Sequence, residues 1–288
     1  MIAPSEPGIY DAVPDTVYHG DRTSLSSSGA RKLLLPSTPA TFRHEQDNER
    51  KPKKAFDFGH AAHTLILGYG PEIVEIPEDV LASNGAVSTK EAKEFVAEAR
   101  AAGNVPLKPD EHAVVVAMAE KLKSHSIAAR LFENGSPEQS IYWTDKESGV
   151  RLRARPDWIT RFANGRTAMV DFKSANSAAP ADFARSAADY GYHQQQPWYC
   201  DGFADVAADS NAAFLFVVQE KTAPYLVNVI ELDREAVELG RRLNRLAIET
   251  YARCMESGIW PGYGNDVTRI ELPQWAMYQQ EELLNVNA

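Results

Sequence analysis

The hydrophobic pattern of this 288-residue chain changes near Pro137. Before that point, apolar residues recur at intervals typical of helices. After it come short apolar or alternating runs separated by turn residues. A chain that supplies helices first, then strands with further helices between them, buries its core by packing helices against a sheet. The pattern therefore predicts an α/β fold with a mixed central sheet flanked by helices and an α-rich N-terminal part.

Four helices are predicted before Pro137. One follows the serines at 26–28, one covers 56–67, one opens with the capping-box spacing of Ser88 and Glu91, and one starts at Pro109. After Pro137, the runs SIYWT, VRLRARPDWITRF and TAMVDFKS predict three strands joined by tight turns, an antiparallel meander. Helices at 181–188 and 193–208, strands at 212–219 and 225–232, and an amphipathic helix at 233–255 follow.

The sequence contains neither a repeat nor a linker long enough to separate independent domains. We therefore expect a single domain over 1–288. It would comprise an α-rich part to about 136, a sheet core over about 137–260 and a C-terminal extension over 261–288. The aromatic residues of the extension, Trp260, Tyr263 and Trp275, are expected to pack on the core or on a neighbouring subunit.

Composition narrows the class of protein. The chain has 40 Asp and Glu against 30 Lys and Arg, a net charge of −10, which argues against non-specific coating of nucleic acid but not against a local basic channel. Two cysteines are too few for a disulfide framework, a zinc ribbon or an iron–sulfur cluster. The sequence has no signal-peptide pattern, no membrane-spanning run and no Gly-Lys pair for an ATP-binding loop. We expect a cytoplasmic protein that uses neither a membrane nor ATP.

Acidic and basic residues cluster on the predicted strands. Asp171 and Lys173 alternate with an apolar residue and share one strand face, while Asp157 lies on the preceding strand and Glu138 at the start of the first. Clustered carboxylates repel one another unless a hard cation such as Mg²⁺ sits between them. Together with a lysine that orients water or stabilises negative charge, this set indicates metal-assisted phosphodiester hydrolysis. The alternative is a surface strand pair without a catalytic role.

Pro156-Asp157 and Asp171-Phe172-Lys173, preceded by Glu138, resemble the core motif of the PD-(D/E)-x-K nucleases and occur in the order found in that family. Gly59-x-x-x-His63 upstream and Gln195-x-x-x-Tyr199 downstream are similar to the accessory motifs of the RecB-type branch. The opening, with GIYDAVPDTVYH and FDFGHAAHTLILG, looks most like the RecE-type (exodeoxyribonuclease VIII) exonucleases of phages and prophages. The resemblance covers most of the chain, roughly 8–275, and implies a restriction-endonuclease-like PD-(D/E)-x-K fold.

The resemblance also implies roles for individual residues. His63, Asp157 and Asp171 would bind Mg²⁺, for which Mn²⁺ can substitute, with Glu138 at or near the metal. Lys173 would position or activate the water. Gln195 and Tyr199, four apart on one helix face, would contact substrate or support Lys173.

Several of these assignments have alternatives. They are His60 in place of His63, a register shift within Gln194–Gln196, a core aromatic role for Tyr199 and a solvated strand-edge role for Glu138. Arg153 and Arg155 alternate toward the Asp157 face if the strand stays regular, where they bind phosphate or pair with the acids. The basic cluster Arg43, Arg50, Lys51, Lys53 and Lys54 is either a DNA-backbone contact or a solvated loop.

The resemblance implies Mg²⁺-dependent 5′-to-3′ digestion of one strand of a DNA duplex. The 3′ single-stranded tail would serve recombination through a RecT-like annealing protein, and the enzyme would be a homo-oligomeric ring. One alternative is an endonuclease or branched-DNA nuclease of the same fold. The other is a non-catalytic DNA-binding or phage assembly module.

Overall fold

The computed structural model describes residues 2–48 and 54–286. Its helices are α1 (Asp15–Gly20), α2 (Ser27–Lys32), α3 (Pro39–Asp47), α4 (Lys54–Leu67), α5 (Lys90–Ala101), α6 (Pro109–Lys123), α7 (Ala128–Glu133), α8 (Pro180–Tyr190), α9 (Tyr192–Ala207), α10 (Arg234–Ser257) and α11 (Gln274–Val286), with a 3₁₀ turn at Glu78–Val80. Its strands are β1 (Gly8–Tyr10), β2 (Leu25–Ser26), β3 (Ile73–Glu75), β4 (Val105–Leu107), β5 (Gly135–Pro137), β6 (Ser140–Thr144), β7 (Arg151–Ala154), β8 (Trp158–Arg161), β9 (Thr167–Ala175), β10 (Ala213–Glu220) and β11 (Val227–Ile230).

Two sheets carry the fold. The larger has the order β11-β10-β9-β8-β5, in which β9 and β10 are parallel and the other neighbours antiparallel. The smaller has the order β1-β6-β7-β2, and it brings two short N-terminal strands beside the β6–β7 hairpin. With helices packed around the strands, the predicted mixed α/β fold is confirmed.

The predicted meander is wrong in one respect. The run at 150–162 is not one strand but two, β7 and β8, and they belong to different sheets. Pro156 lies between them. Because proline has no amide hydrogen and a fixed φ, it interrupts the hydrogen-bond ladder, and the chain crosses there from one sheet to the other.

Two further boundaries differ from the predictions. Glu138 does not start the first strand. It lies between β5 and β6 with a positive φ of 50°, and β5 was not predicted. The helix α5 begins at Lys90, and its N-cap is Thr89, whose hydroxyl accepts a hydrogen bond from the amide of Ala92, rather than Ser88. The capping residue is thus displaced by one position from the expected box. The first-turn role of Pro109 in α6 is confirmed.

The core lies on both faces of β9 and β10, whose side chains are almost completely buried. The helix α9 covers one face, and α10 packs against α9. At Gly240 in α10 an added Cβ would lie 1.7 Å from the carbonyl oxygen of His193, so the two helices touch through their backbones. This close approach fixes the position of α9 against the sheet.

A search of the helices within 2–48 and 54–286 finds none that is both long and apolar enough to cross a lipid bilayer.

Candidate active site

A cleft of about 860 Å³ opens between the N-terminal segment, α4 and α9. One wall comes from α1, α2 and the residues between them, and another from the C-terminal half of α4 and the turn that follows it. The base is formed where β9 and the β7–β8 crossing meet α9. Eight of the site residues expected from the sequence line this cleft: His63, Glu138, Arg153, Arg155, Asp157, Lys173, Gln195 and Tyr199.

Three of these side chains form a group with the spacing of metal ligands. The Nε2 atom of His63 lies 3.2 Å from Oδ2 of Asp157 and 3.5 Å from Oε1 of Glu138, and one donor atom from each residue lies within 4.8 Å of the others. One imidazole nitrogen and two carboxylate oxygens suit a divalent cation that accepts oxygen and nitrogen ligands. His60 is exposed and does not belong to this group.

The crossing between the sheets places the two carboxylates. The Oδ2 atom of Asp157 accepts a hydrogen bond of 2.7 Å from the amide of Phe172 on β9, and the amide of Glu138 donates to the carbonyl of Asp157 at 3.0 Å. The left-handed backbone at Glu138 costs a non-glycine residue about 1–2 kcal/mol, and the surrounding hydrogen bonds hold it there.

The charges in this group strongly perturb one another. Burial opposes the charged imidazolium, but the charge and hydrogen bond of Asp157, together with the charge of Glu138, raise the pKa of His63 to about 9. Burial and the negative charge of Asp157 raise the pKa of Glu138 to about 8. Burial also works against ionisation of Asp157, yet His63 outweighs it, and the pKa of Asp157 is lowered. His63 therefore acts as the counter-cation of the Asp157 carboxylate when no metal is bound.

A second cluster adjoins the first on β9. Asp171 and Lys173 lie on the same face of the strand, with Nζ 2.5 Å from Oδ2, and the side-chain amide of Gln195 donates to Oδ1 of Asp171. Asp171 is 1% exposed. Burial and the charge of Asp157 raise its pKa to about 6. Asp171 is not among the three residues whose donor atoms lie together, and its expected role as a metal ligand stays a prediction.

Helix α9 supplies the other wall of this cluster. Gln195 is the residue of the glutamine triplet that reaches Asp171, whereas the carbonyl of Gln194 accepts a hydrogen bond from Asn244 of α10. Tyr199 lies one turn further along α9 and lines the cleft, with its ring edge-on to Phe214 in the core. Tyr199 thus combines a contact in the core with a place in the cleft, and its role toward substrate or Lys173 stays a prediction.

Arg153 and Arg155 are buried and turn toward the N-terminal segment. Their guanidinium carbon atoms lie 5.2 and 3.9 Å from the ring centroid of Tyr18. Arg155 pairs with Asp15 at 2.6 Å, and its Nε lies 3.9 Å from Glu138. The alternation expected through Pro156 is wrong because the strand ends at Ala154. Both arginines hold the N-terminal wall of the cleft in place, an arrangement that favours pairing with acidic groups over phosphate binding.

The basic cluster ahead of α4 is only partly described. Arg50, Lys51 and Lys53 lie outside the described residues, and of Lys54 the structure describes only its place as the first residue of α4. Arg43 forms an ion pair with Asp47. A role for this cluster in DNA binding stays a prediction.

Sequence reasoning missed the N-terminal wall. Its residues approach the site through β1 and β2, strands of three and two residues that no periodicity can reveal. Arg31 in α2 and Tyr192 in α9 line the cleft beside Lys173, whose Nζ lies 4.7 Å from the centroid of the Tyr192 ring. The only signal for Arg31 was a basic residue in a capped helix.

The folded core and the carboxylate, lysine and glutamine arrangement define a protein of the PD-(D/E)-x-K class. The chain belongs to the family described as a PDDEXK-like domain of unknown function (DUF3799), whose model matches residues 26–272.

Solved structures agree on the fold. A protein described as "putative exonuclease" from Eubacterium rectale is similar over 90% of this chain and 94% of its own, with a TM-score of 0.58 at 11% identity. The protein SSO0001 gives a TM-score of 0.29 at 14% identity over 68% of this chain and 84% of its own, too low to support an argument. No curated protein matches the sequence.

Proposed function

We propose that the protein is a Mg²⁺-dependent exonuclease that digests linear duplex DNA in the 5′-to-3′ direction by phosphodiester hydrolysis. Mn²⁺ is expected to substitute for Mg²⁺. The observation that carries the proposal is one cleft whose base joins the His63–Glu138–Asp157 group to the Asp171–Lys173 pair. Membership of the PDDEXK-like family supports it.

The donor set fits a divalent cation. His63, Glu138 and Asp157 would hold it, since two carboxylates this close repel each other without a cation between them. The raised pKa of Glu138, caused by burial and by Asp157, is the sign of that repulsion. When bound there, a divalent cation would supply polarisation of the phosphate and a lower pKa for water.

The remaining residues position charge around the reacting phosphate. Lys173 presents its ammonium group to the cleft, where it can orient a water molecule or stabilise negative charge on phosphate oxygens. Asp171 holds that ammonium group from the buried side, and Gln195 fixes Asp171. These two contacts therefore keep the Lys173 nitrogen in one place, as preorganised catalysis requires.

The polarity and the biological role are proposed from the resemblance to RecE-type exonucleases. Digestion would leave 3′ single-stranded tails for a RecT-like annealing protein in recombination and repair, and the enzyme would act as a homo-oligomeric ring. A ring would also help an acidic chain to retain DNA, because enclosure requires less positive surface than open binding.

Digestion of linear duplex DNA labelled at the 5′ or the 3′ end, with Mg²⁺ or EDTA, tests the proposal. The full chain is compared with Asp157→Asn, Lys173→Ala and the control Glu98→Gln, an exposed acid on α5. We expect early release of 5′ label only with the metal, loss of activity in the first two variants, and no change in the control. Closed circular duplex should survive. Activity in EDTA, or full activity in Lys173→Ala, would contradict the mechanism, and early 3′ release would contradict the polarity.

A further inference from the structure

Most cations that line the cleft are already paired with carboxylates. Six Lys and Arg residues line it within the described parts of the chain, and four of them have a carboxylate within 4.0 Å: Lys32, Arg153, Arg155 and Lys173. The other two are Arg22, which is exposed, and Arg31, which is half-buried. A half-buried guanidinium without an anionic partner is costly, so Arg31 is the cation whose partner is missing.

Two contacts with the end of α8 and the residue that follows it hold the Arg31 side chain in place. Its Nη1 atom donates a hydrogen bond to the carbonyl of Tyr190 at the end of α8. Its aliphatic stem crosses Gly191, where an added Cβ would lie 2.4 Å from Cδ. The stem and one nitrogen are thereby fixed, and the remaining guanidinium donors are left for a ligand that enters the cleft.

The position of Arg31 relates it to the reacting groups. Burial lowers the pKa of the Arg31 guanidinium, and the negative charge of Asp171 acts in the opposite direction. The ammonium nitrogen of Lys173 lies 4.7 Å from the centroid of the Tyr192 ring, which also lines the cleft. Arg31 and Lys173 therefore form a positive part of the cleft beside Tyr192, separate from the group of His63, Glu138 and Asp157.

We propose that Arg31 binds a phosphate group of the DNA strand that enters the cleft and so positions the neighbouring phosphodiester for hydrolysis. The planar guanidinium matches two phosphate oxygens, and its fixed stem reduces the entropy lost on binding. This inference rests on the proposed nuclease function. Arg31 acts as a positioning residue, since bond cleavage is assigned to the groups around Lys173.

Equilibrium binding in EDTA separates this role from catalysis, because the proposed enzyme does not cleave without metal. The full chain, Arg31→Gln, Arg31→Lys and the control Arg185→Gln, an exposed residue of α8, are titrated with a fluorescent duplex oligonucleotide at several salt concentrations. We expect Arg31→Gln to weaken binding about 10- to 100-fold and to lower the slope of log K against log salt by about 0.9. Arg31→Lys should restore the slope but only part of the affinity, and the control should match the wild type.

Substitutions at two glycines test whether the contact with Gly191 holds the Arg31 side chain. Gly191→Ala must displace the Arg31 stem, whereas Gly149→Ala introduces the same kind of strain, with φ of +71° against +66°, at a position with no atom within 4 Å. We expect weaker DNA binding for Gly191→Ala and unchanged binding for Gly149→Ala.

Oligonucleotides with 5′-phosphate or 5′-hydroxyl ends show which phosphate Arg31 binds. If Arg31→Gln loses affinity only for the 5′-phosphate oligonucleotide, the bound group is the terminal phosphate. If it loses the same affinity for both, the bound group is an internal phosphate.

The outcomes keep the two proposals apart. If the wild type cleaves DNA with Mg²⁺ while a folded Arg31→Gln binds with wild-type affinity and salt slope, the phosphate role of Arg31 is wrong and the nuclease function stands. If the wild type neither cleaves nor binds duplex DNA with Mg²⁺ or Mn²⁺, the proposed function itself fails. Thermal unfolding of each variant shows whether it is folded.

Discussion

Replacing Gly240 with alanine tests whether the contact between α9 and α10 sets the geometry of the active site. The new methyl carbon would start 1.7 Å from the carbonyl oxygen of His193. Real Cβ atoms essentially never come closer than 3.0 Å, so the helices must separate by at least about 1.3 Å or twist apart by a similar amount. The obstacle is backbone rather than a flexible side chain, and no rotamer change can relieve it.

The expected cost follows from two opposing terms. Overpacking of this kind destabilises by about 1–3 kcal/mol, and separation also stretches the 2.8 Å hydrogen bond from Asn244 to the carbonyl of Gln194, worth about 1 kcal/mol. Alanine returns about 1 kcal/mol of helix propensity. We expect the free energy of unfolding to fall by about 2 kcal/mol.

The same movement displaces Gln195 from Asp171, because Gln195 lies within one turn of α9 from His193, the residue that Gly240 contacts. A shift of about 1 Å in a positioning group can lower kcat about 100-fold, so we expect a loss of 10- to 100-fold with little change in metal affinity. His63 lies on α4, and Glu138 and Asp157 lie between strands, away from this interface.

Urea unfolding followed by circular dichroism measures the stability, and single-turnover cleavage of labelled duplex measures the activity. The matched control for the stability measurement is Gly59→Ala, a glycine within α4 with no atom within 4 Å of an added Cβ, whose free energy of unfolding should rise by up to about 1 kcal/mol. If Gly240→Ala is as stable as the wild type and fully active, the backbone contact does not position α9, and the reasoning is refuted.

Three further changes have defined outcomes. Asp157→Asn keeps an acceptor for the Phe172 amide but removes a charge from the expected metal group, and calorimetric titration with Mn²⁺ should show at least tenfold weaker binding; equal affinity would remove Asp157 from the ligand set. Burial opposes ionisation of Asp145, but the hydrogen bonds of Arg245 and Ser148 lower its pKa to about 2, so the pair stabilises the fold above pH 4 and loses this effect as pH falls toward 2. Arg245→Met should therefore cost about 1–2 kcal/mol at pH 7 and progressively less below pH 4, and an unfolding difference independent of pH would contradict the assignment. Trp260→Ala removes a ring stacked on Phe42 and should cost about 2 kcal/mol, whereas exposed Trp275→Ala should change the unfolding midpoint little; equal effects would contradict the packing.

The sequence predicted those parts of the fold in which local pattern and tertiary packing agree. The strand β9 is one, since its apolar run is buried on both faces and its alternation places Asp171 and Lys173 together. The helix α4, which delivers His63, is another, because its apolar spacing persists over several turns. In both cases a single element determines the relative position of the residues that matter.

Other features depended on contacts that no local pattern encodes. The sequence shows a proline at position 156 but not the change of sheet that occurs there. Arg153 and Arg155 line the cleft, but they contact the N-terminal segment that forms its wall. The place of Arg31 depends on Gly191, far along the chain. The contacts of Asp171 with Lys173 and Gln195 depend on the position of α9 against the sheet.

The short strands β1 and β2 have a consequence for the order in which the protein folds. They pair with β6 and β7, residues from the middle of the chain, through Gly8 with Tyr142 and Leu25 with Leu152. Contacts between distant parts of a chain form late, because the loop between them must close first. During synthesis, the segment that carries Arg31 therefore has no sheet to join until the ribosome has released the β6–β7 hairpin. The N-terminal wall of the cleft, although it is synthesised first, is therefore expected to be among the last parts of the site to form.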